Sequence, residues 1–388
     1  MSRVKLVLTS PIVESYRVAR VLGALDKPDL REITTTLEFE EPPPVSESWS
    51  IGLIVGASGS GKTSVATSLY PGAFYPGGDW TDRAIVDEFG DRPFSEISSA
   101  LNAIGFSTQT HWARPYATLS VGERYRCDLA KGLLESHGPV VVFDEFGSEV
   151  DLGTARALSI ALRKEYDRGG FGVKLVALTN RRELAEYLEP DWILDAESGR
   201  LTRGRLRRGG LRVEVSGVER EVWKSFKEFH YLSGTLNSAS RCYGAFLDGS
   251  FFCPGASCSV LVGFAAVLQS EGRRGRKRVH RLVVRPEVQG IGLGGAFLDA
   301  LAELYFEQGY ALEITTGHAE FAGRLKRSPL WTLTRVYPYG RVARHKGVAS
   351  KGSFGRGIAS FHYAKADNRR EKTKKEFQDR SNVRLDKE

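Results

Sequence analysis

The chain has few cysteines. Its 388 residues include four, too few for a disulfide framework. Cys253 and Cys258 do not form a C-x-x-C pair, and no matching histidine or cysteine pair follows them. This excludes the common zinc motifs, so we expect these residues to behave as small apolar side chains. Such cysteine usage is typical of a reducing cytoplasm, where we expect the chain to act.

Long apolar runs are also missing. The sequence has no stretch of about eighteen consecutive apolar residues, and we therefore predict no membrane-spanning helix. Residues Met1–Lys5 lack the apolar core and the small-residue cleavage site that a signal peptide would have. Internal repeats are not visible either. These absences favour a protein without a membrane segment.

A glycine-rich segment follows the apolar run Ile51–Val55 and fits the pattern G-x-x-x-x-G-K-[ST]. Its glycines let successive N–H groups point into one concavity, which together with a following helix N-terminus holds phosphates. Lys62 would reach the β- and γ-phosphates of ATP, and Thr63 would bind Mg²⁺. The alternative is a chance Gly/Ser-rich loop. The other residues predicted to bind the nucleotide here are Gly56, Ser58, Gly59 and Gly61.

Two acidic residues follow a second apolar strand, Val140–Phe143. Asp144 stands where a carboxylate can hold Mg²⁺ beside the phosphates. Glu145 stands where a base can polarise an attacking water, so we predict that it is catalytic.

Three further segments occur in a characteristic order. Leu119-Ser120-Val121-Gly122-Glu123 resembles an LSGGQ signature, and Ser148–Asp151 looks like a D-loop. Gln109, 47 residues after Lys62, is the candidate Q-loop glutamine. With the phosphate loop, these segments resemble the ABC-type ATPases over roughly residues 15–200. The resemblance implies that Ser120 and Gly122 act on ATP held by another subunit, and hence an ATP-dependent homodimer.

The chain departs from that family at two places. Asn180 follows the predicted strand Val173–Leu178, where the family usually carries a switch histidine. Asparagine cannot act as a cation, so we expect ATP to bind but to be hydrolysed slowly. Only 57 residues separate Lys62 from Leu119, which predicts a reduced helical subdomain. A transporter motor that recruits separate membrane subunits remains an alternative, against which the second half of the chain argues.

The composition changes at Gly199–Arg212, a stretch with six arginines and no acidic residue. We interpret it as a linker or an exposed basic ribbon. A predicted helix near Glu219–Phe229, several strands and a strand–helix–strand unit follow, which indicates an α+β domain. The predicted fold class is an α/β P-loop ABC-type ATPase domain followed by a smaller α+β domain. The predicted domains are 1–198, the linker 199–212, 213–363 and a charged tail, 364–388.

A second glycine-rich junction lies inside the α+β half. The strand Arg281–Arg285 ends at Pro286, and Gln289-Gly290-Ile291-Gly292-Leu293-Gly294 then opens an apolar helix. N–H groups there can accept a pyrophosphate. The segment resembles the Q/R-x-x-G-x-G/A loop of the GNAT acyltransferases over about residues 210–345. The resemblance implies acetyl-CoA or a related thioester, with Gln289, Gly290, Gly292 and Gly294 on the pyrophosphate. A dinucleotide site and a plain turn are the alternatives.

The same resemblance implies that Val283 and Val284 present backbone groups to the pantetheine arm. His230 is the candidate base and Tyr231 the candidate acid, in a loop of polar residues. The alternative is a histidine at a helix C-terminus and a core tyrosine. Thr315, Thr316 and His318 are weaker candidates. The His-Tyr loop resembles the Mom branch of GNAT-like proteins, phage-associated enzymes that modify adenine in DNA.

The net charge is +8, and it favours a polyanionic partner. A predicted hairpin loop contains five basic residues: Arg273, Arg274, Arg276, Lys277 and Arg278. Solvated loops also collect arginine, which is the alternative interpretation of this cluster. Because of the positive charge, we expect ATP-dependent modification of a nucleic-acid base, most simply in DNA. An ATP-regulated N-acetyltransferase of a protein or small-molecule amine is one alternative. A DNA clamp without acyltransferase activity is another.

Overall fold

The computed structural model describes residues 3–205, 207–230, 235–272, 274–337, 344–345, 348–349, 357–363 and 382–385. The helices are α1 (Tyr16–Ala24), α2 (Lys62–Leu69), α3 (Phe94–Ala103), α4 (Gln109–Trp112), α5 (Val121–Glu135), α6 (Leu152–Tyr166), α7 (Leu184–Leu188), α8 (Leu293–Glu307) and α9 (Ala319–Arg327).

The strands of the first half are β1 (Arg3–Pro11), β2 (Glu32–Glu40), β3 (Ile51–Val55), β4 (Val140–Phe143), β5 (Lys174–Thr179), β6 (Trp192–Asp195) and β7 (Leu201–Arg203). Those of the second half are β8 (Arg212–Gly217), β9 (Arg241–Asp248), β10 (Ser259–Gln269), β11 (Arg276–Val284), β12 (Ala311–Thr316), β13 (Trp331–Tyr337), β14 (Arg344–His345), β15 (Val348–Ala349), β16 (Ile358–Tyr363) and β17 (Asn382–Leu385).

The chain forms two compact units that interleave along the sequence. The first unit comprises Met1–Gly78, Lys131–Glu149 and Glu165–Arg207. The second comprises Asp79–Ala130, Val150–Lys164 and Arg208–Glu388. Two segments of the ATPase-like half therefore pack with the C-terminal half. The continuous domain boundaries expected from the sequence stay a prediction.

The first unit is built on a sheet of order β4-β5-β3-β6-β7, parallel except for β7. Every residue of β3 is buried, as expected for a parallel strand covered on both faces. Because the carboxyl ends of parallel strands meet at one edge, the sheet gathers the residues that follow β3, β4 and β5 at that edge.

The expected linker contains ordered structure at its start. Leu201–Arg203 pairs antiparallel with β6, and the Leu201 side chain is buried in the core of the unit. Arg205 donates two hydrogen bonds to the Asp167 carboxylate, 2.7 and 2.9 Å long. This part of the basic ribbon is thus held by an acidic partner.

The second unit contains a mixed sheet of order β13-β16-β12-β11-β10-β9-β8-β17. Strands β8 to β11 form an antiparallel meander, and α8 connects β11 to the parallel strand β12. Among the described residues, β11 and β12 pair only through Arg276–Arg278 and Ala311–Glu313, beyond which β12 pairs with β16. The two parallel strands therefore separate toward the carboxyl end of β11.

The helix expected near Glu219–Phe229 is instead two 3-10 turns, Arg220–Ser225 and Lys227–Phe229. Trp223 and Phe226 are buried in one cluster, and Phe229 packs against it. Residues three positions apart share a face in a 3-10 helix, which has three residues per turn. The apolar spacing thus matches the tighter turn.

Candidate functional site

The phosphate loop lies between β3 and α2, the context that its sequence pattern requires. Gly59 and Gly61 have positive φ values of 82° and 88°, which favour glycine. A Cβ at Gly61 would lie 2.6 Å from Leu37 Cδ1. Lys62 is buried, and its Nζ donates to the carbonyl oxygens of Gly56 and Ala57 at 3.0 and 2.9 Å. The loop therefore fits a triphosphate, with Lys62 fixed at its centre.

Hard oxygen groups meet beside this loop. Thr63 Oγ1 donates to Asp144 Oδ2 at 2.8 Å, so the hydroxyl and the carboxylate predicted to hold Mg²⁺ are adjacent. Mg²⁺ usually takes one or two protein oxygens together with phosphates and water, and this pair fits that pattern. Elsewhere in the described part of the chain, no group of three or more His, Cys, Asp or Glu residues is arranged to hold a metal.

Glu145 has a strained backbone, with φ at 51°. Its Oε2 accepts a 2.7 Å hydrogen bond from Ser148 Oγ, which orients the carboxylate. Asn180 follows β5 at the same edge of the sheet and is exposed. The structure thus brings the predicted base and the substituted switch position to one edge.

The signature and Q-loop candidates lie in the second unit. Ser120 and Glu123 form a capping box at the start of α5: Ser120 N–H donates to Glu123 Oε2 at 3.0 Å, and Glu123 N–H donates to Ser120 Oγ at 3.3 Å. His111 contacts the other oxygen of Glu123, and hydrogen bonds from His111 and Ser120 lower the pKa of Glu123 against the opposing effect of burial. Gln109 is the exposed first residue of α4, and Gly122 lies in the first turn of α5.

The second glycine loop lies between β11 and α8. Gly290 and Gly292 have φ values of 85° and 97°, and Gly292 is the residue before the first turn of α8. Gly294 lies inside that turn, where a Cβ would contact Val284 Cγ2 at 3.4 Å. The first N–H groups of a helix lack intrahelical partners, so they are available to an anion. The loop therefore fits the pyrophosphate of coenzyme A.

Val283 and Val284 end the strand that leads to this loop. The Val283 side chain is buried with Trp223, Phe226 and Phe264. The described pairing of β11 with β12 ends at Arg278, so the Val283 backbone faces the gap between these two strands. Val284 O accepts a 3.0 Å hydrogen bond from Gln289 Nε2, so the Gln289 side chain closes the turn.

Residues from the ATPase-like half contact this loop within the second unit, and no sequence motif marks them. Ser107 lies two residues before Gln109, and its N–H donates to Gln289 Oε1 at 3.2 Å. Arg126 of α5 is buried and donates to the carbonyl oxygens of Pro286 and Glu287 at 2.8 and 3.1 Å. Burial lowers the pKa of Arg126 to about 10, which leaves it charged at neutral pH.

Two further contacts involve Gly105 and Lys164. A Cβ at Gly105 would lie 2.5 Å from Gln289 O, so only glycine allows this approach. Lys164 Nζ donates to Gly290 O at 3.1 Å. The glycine loop is thus enclosed by the segment before the Q-loop candidate, the helix that follows the signature, and α6.

The structure describes part of the loop that carries the predicted acceptor-side residues. His230 lies edge-on to Trp223, with ring centroids 5.8 Å apart, whereas Tyr231 lies outside the described residues. Arg281 is buried and donates to Thr235 O at 3.0 Å, which ties the far end of that loop to β11. His318 caps α9, and burial lowers its pKa.

No sequence motif marks His280 as a functional residue. It is the extra residue at an irregularity of β11, because Val279 and Arg281 pair with the consecutive residues Val267 and Ala266. Its buried Nε2 has no hydrogen-bond partner among the described residues. Burial, with Arg281 and Arg278 nearby, lowers the pKa of His280 to about 4, so the imidazole is neutral at pH 7.

The basic hairpin prediction requires a correction. Arg276, Lys277 and Arg278 are not in a loop but in β11, since they pair with β10 and β12. Arg276 contacts the Glu313 carboxylate, and Arg278 lies 3.8 Å from that of Glu271. Lys277 Nζ lies 4.5 Å from the centre of the Tyr310 ring. Arg274 is exposed in the turn, and Arg273 lies outside the described residues.

A family of known proteins matches part of the second unit. Residues 214–322 match the family model described as the acetyltransferase (GNAT) family. No curated protein matches the chain. The fold class predicted from the sequence is confirmed in its architecture: an α/β region with a P-loop on a mostly parallel sheet precedes an α+β region that contains the match to the GNAT model. The ABC-type assignment of the first region stays a prediction.

Solved structures resemble each region. An acetyltransferase from Bacillus subtilis in complex with CoA is 16% identical, with a TM-score of 0.29, over 40% of this chain and 99% of its own. A CbiO1 protein from Clostridium perfringens, part of an ABC transporter complex, is 15% identical, with a TM-score of 0.32, over 45% of this chain and 81% of its own. A dimeric bacterial ABC transporter cassette is 14% identical, with a TM-score of 0.32, over 46% of this chain and 91% of its own. None of the described helices is both long and apolar enough to cross a membrane.

Proposed function

We propose that the protein is an acyl-CoA-dependent N-acyltransferase whose acyl-CoA site is controlled by ATP. The supporting observation is the set of contacts on the Gln289–Gly294 loop. Ser107 precedes the Q-loop candidate, and Arg126 lies on the helix that the signature opens. In the family that this half resembles, the signature acts on ATP held by another subunit, and we infer that nucleotide also shifts the Q-loop candidate. A shift of either one would move the loop that holds the pyrophosphate.

Bound acetyl-CoA or a related thioester would supply the acyl group, and the chain's own residues would position it. The glycine loop and the first N–H groups of α8 hold the pyrophosphate, while the separated strands β11 and β12 leave the Val283 backbone for the pantetheine arm. His280 is neutral, and its Nε2 has no hydrogen-bond partner in the described part of the chain, so it is a candidate to accept a proton from an amine. His230 and Tyr231 stay proposed for the acceptor side.

In the first unit, Lys62 and the glycines hold ATP, and Thr63 with Asp144 hold Mg²⁺. Glu145 orients the attacking water, and Asn180 in place of a histidine keeps hydrolysis slow. A nucleotide-dependent homodimer follows from the signature, which in the resembling family completes a partner's ATP site.

Calorimetry tests whether ATP controls the binding of acyl-CoA. The affinity for acetyl-CoA is measured with and without a non-hydrolysable ATP analogue and Mg²⁺, in the wild type and in Lys62→Ala. Allosteric coupling is typically worth about fivefold or more in affinity, and we expect such a change in the wild type only. Equal affinities in all four titrations would leave an acyltransferase without nucleotide control. A wild type that binds no CoA derivative would favour the non-catalytic clamp.

A nucleic-acid base, as in the Mom-like hypothesis, is the second candidate acceptor. The exposed Arg274 and the cations of β11 favour it, although Glu313 and Glu271 offset part of their charge. Mass spectrometry of DNA nucleosides from expressing cells, compared with assays on peptides and polyamines, separates the acceptors. We expect a smaller salt dependence of DNA binding when Arg273, Arg274 and Lys277 are neutralised. The slope of the logarithm of the binding constant against the logarithm of the salt concentration should decrease by about 0.9 per lost phosphate contact. An unchanged slope would remove the nucleic-acid candidate.

A further inference from the structure

The Gln289–Gly294 loop contains no basic residue, although its proposed ligand carries a negative pyrophosphate. The cation beside it comes from α6, in the ATPase-like half. Lys164 Nζ lies 3.1 Å from Gly290 O and 3.3 Å from the position that a Cβ on Gly292 would occupy. The ammonium group is therefore next to both glycines that shape the loop.

Helix α6 fixes this position through packing. A Cβ at Gly290 would lie 2.9 Å from Ala161 Cβ, so the loop rests directly on the helix. Residues three apart share a helix face, which directs Lys164 toward the same loop as Ala161. Another cation, Arg324, lies against Gly295 in the first turn of α8, and its Nη2 donates to the Asp299 carboxylate at 2.6 Å. Lys164 contacts a carbonyl oxygen of the Gln289–Gly294 loop itself.

The phosphate loop of the first unit shows the same arrangement. Lys62 Nζ donates to two carbonyl oxygens of the loop that it serves, and Lys164 Nζ donates to a carbonyl oxygen of the glycine loop. An ammonium group has three donors and can therefore contact a carbonyl oxygen and a phosphate oxygen together.

We propose that Lys164 binds the pyrophosphate of the acyl-CoA, so that a residue from the ATPase-like half completes the acyl-CoA site. This rests on the proposed acyltransferase function. It also gives a reason for the interleaved second unit, because the loop and its cation come from opposite halves of the sequence.

The test compares Lys164→Gln with the wild type by calorimetry on CoA, dephospho-CoA and pantetheine. A charge-assisted hydrogen bond predicts a loss of roughly tenfold for CoA and for dephospho-CoA, which both carry the pyrophosphate. Pantetheine has no phosphate, so its affinity should stay within twofold. Lys164→Arg should retain most of the affinity for CoA. Lys326→Gln, an exposed position on α9, is the matched control and should behave as the wild type.

The outcomes are distinct. Wild-type affinity for CoA in Lys164→Gln would overturn the inference, and so would an equal loss for pantetheine, which indicates a structural role. A loss for CoA alone would place the contact on the 3′-phosphate and overturn the pyrophosphate assignment. If the wild type binds none of the three compounds, the acyltransferase function itself fails. Thermal unfolding of each variant detects misfolding, in which case Lys164→Arg and Lys164→Met repeat the comparison.

Discussion

Both glycine loops are proposed to bind phosphate groups, but the residues around them come from different parts of the chain. Each joins a strand to a helix, and each has a glycine with positive φ just before the helix, Gly61 at 88° and Gly292 at 97°. The first loop carries its own cation, because Lys62 is the next residue in the chain. The second is surrounded by groups that lie far away in sequence: Ser107, Arg126 and Lys164.

This difference decides how each site can be changed. A self-contained loop depends on residues that the chain places together whatever happens elsewhere in the molecule. An assembled loop depends on the packing of α5 and α6, so a change in those helices reaches it. The first loop is therefore suited to constant binding and the second to control.

The largest expected effect is on the self-contained loop. Lys62→Ala removes a buried ammonium group that donates two hydrogen bonds at the centre of the cradle. The loss of charge-assisted bonds to phosphate should weaken ATP binding by about 100-fold, measured by calorimetry. Affinity for CoA measured without nucleotide is the control and should be unchanged. Retained ATP affinity would show that the loop is not a nucleotide site.

A smaller effect is expected at the glycine loop between β11 and α8. Two glycine variants distinguish displacement of this loop from strain in a left-handed backbone. Gly105→Ala adds a Cβ only 2.5 Å from Gln289 O at a φ of 80°, so the backbone of the acyl-CoA loop must shift. Gly90→Ala is the matched control, since its φ is 63° but nothing lies within 4 Å of the added atom. Both variants should lose roughly 1–2 kcal/mol of stability from the left-handed backbone.

Only Gly105→Ala should also weaken CoA binding, by about tenfold, because only it displaces the loop. Calorimetry gives the affinities, and thermal unfolding gives the stabilities. If both variants bind CoA like the wild type, the contact between the two segments does not shape the site, and the contrast between the loops is lost.

The same contrast explains what could be predicted from the sequence. The P-loop, Asp144 and Gln289–Gly294 are short patterns whose chemistry is local, and the structure places them at strand ends as expected. Lys164 and Ser107 act across long separations, and nothing in their own segments marks them. His280 was missed because a β-irregularity depends on the pairing of two strands. Arg276–Arg278 were misassigned since a run of cations indicates a loop unless strand pairing is known.

The smallest expected effect concerns the strands that lead into the two loops. Strand β3 has no titratable side chain, whereas β11 carries His280. Burial, Arg281 and Arg278 lower the pKa of His280 from 6.5 to about 4. As the pH falls, His280 is protonated in the unfolded chain before it is protonated in the folded protein. Its contribution to the free energy of unfolding is therefore complete above pH 6.5 and is lost as the pH falls through 4.

His280 is only half-buried, and water screens the arginines beside it. We therefore expect about 1 kcal/mol of stability to depend on His280 between pH 6.5 and pH 4. Hydrogen exchange in denaturant, followed on peptides from β10 and β11, measures the stability of that region at each pH. His280→Gln should abolish the difference there and leave peptides from β3 unaffected. His137→Gln, at an exposed position in the first unit, is the control. An unchanged pH dependence of β10 and β11 in His280→Gln would show that this histidine is not held neutral by the fold, and it would lose its standing as a candidate base.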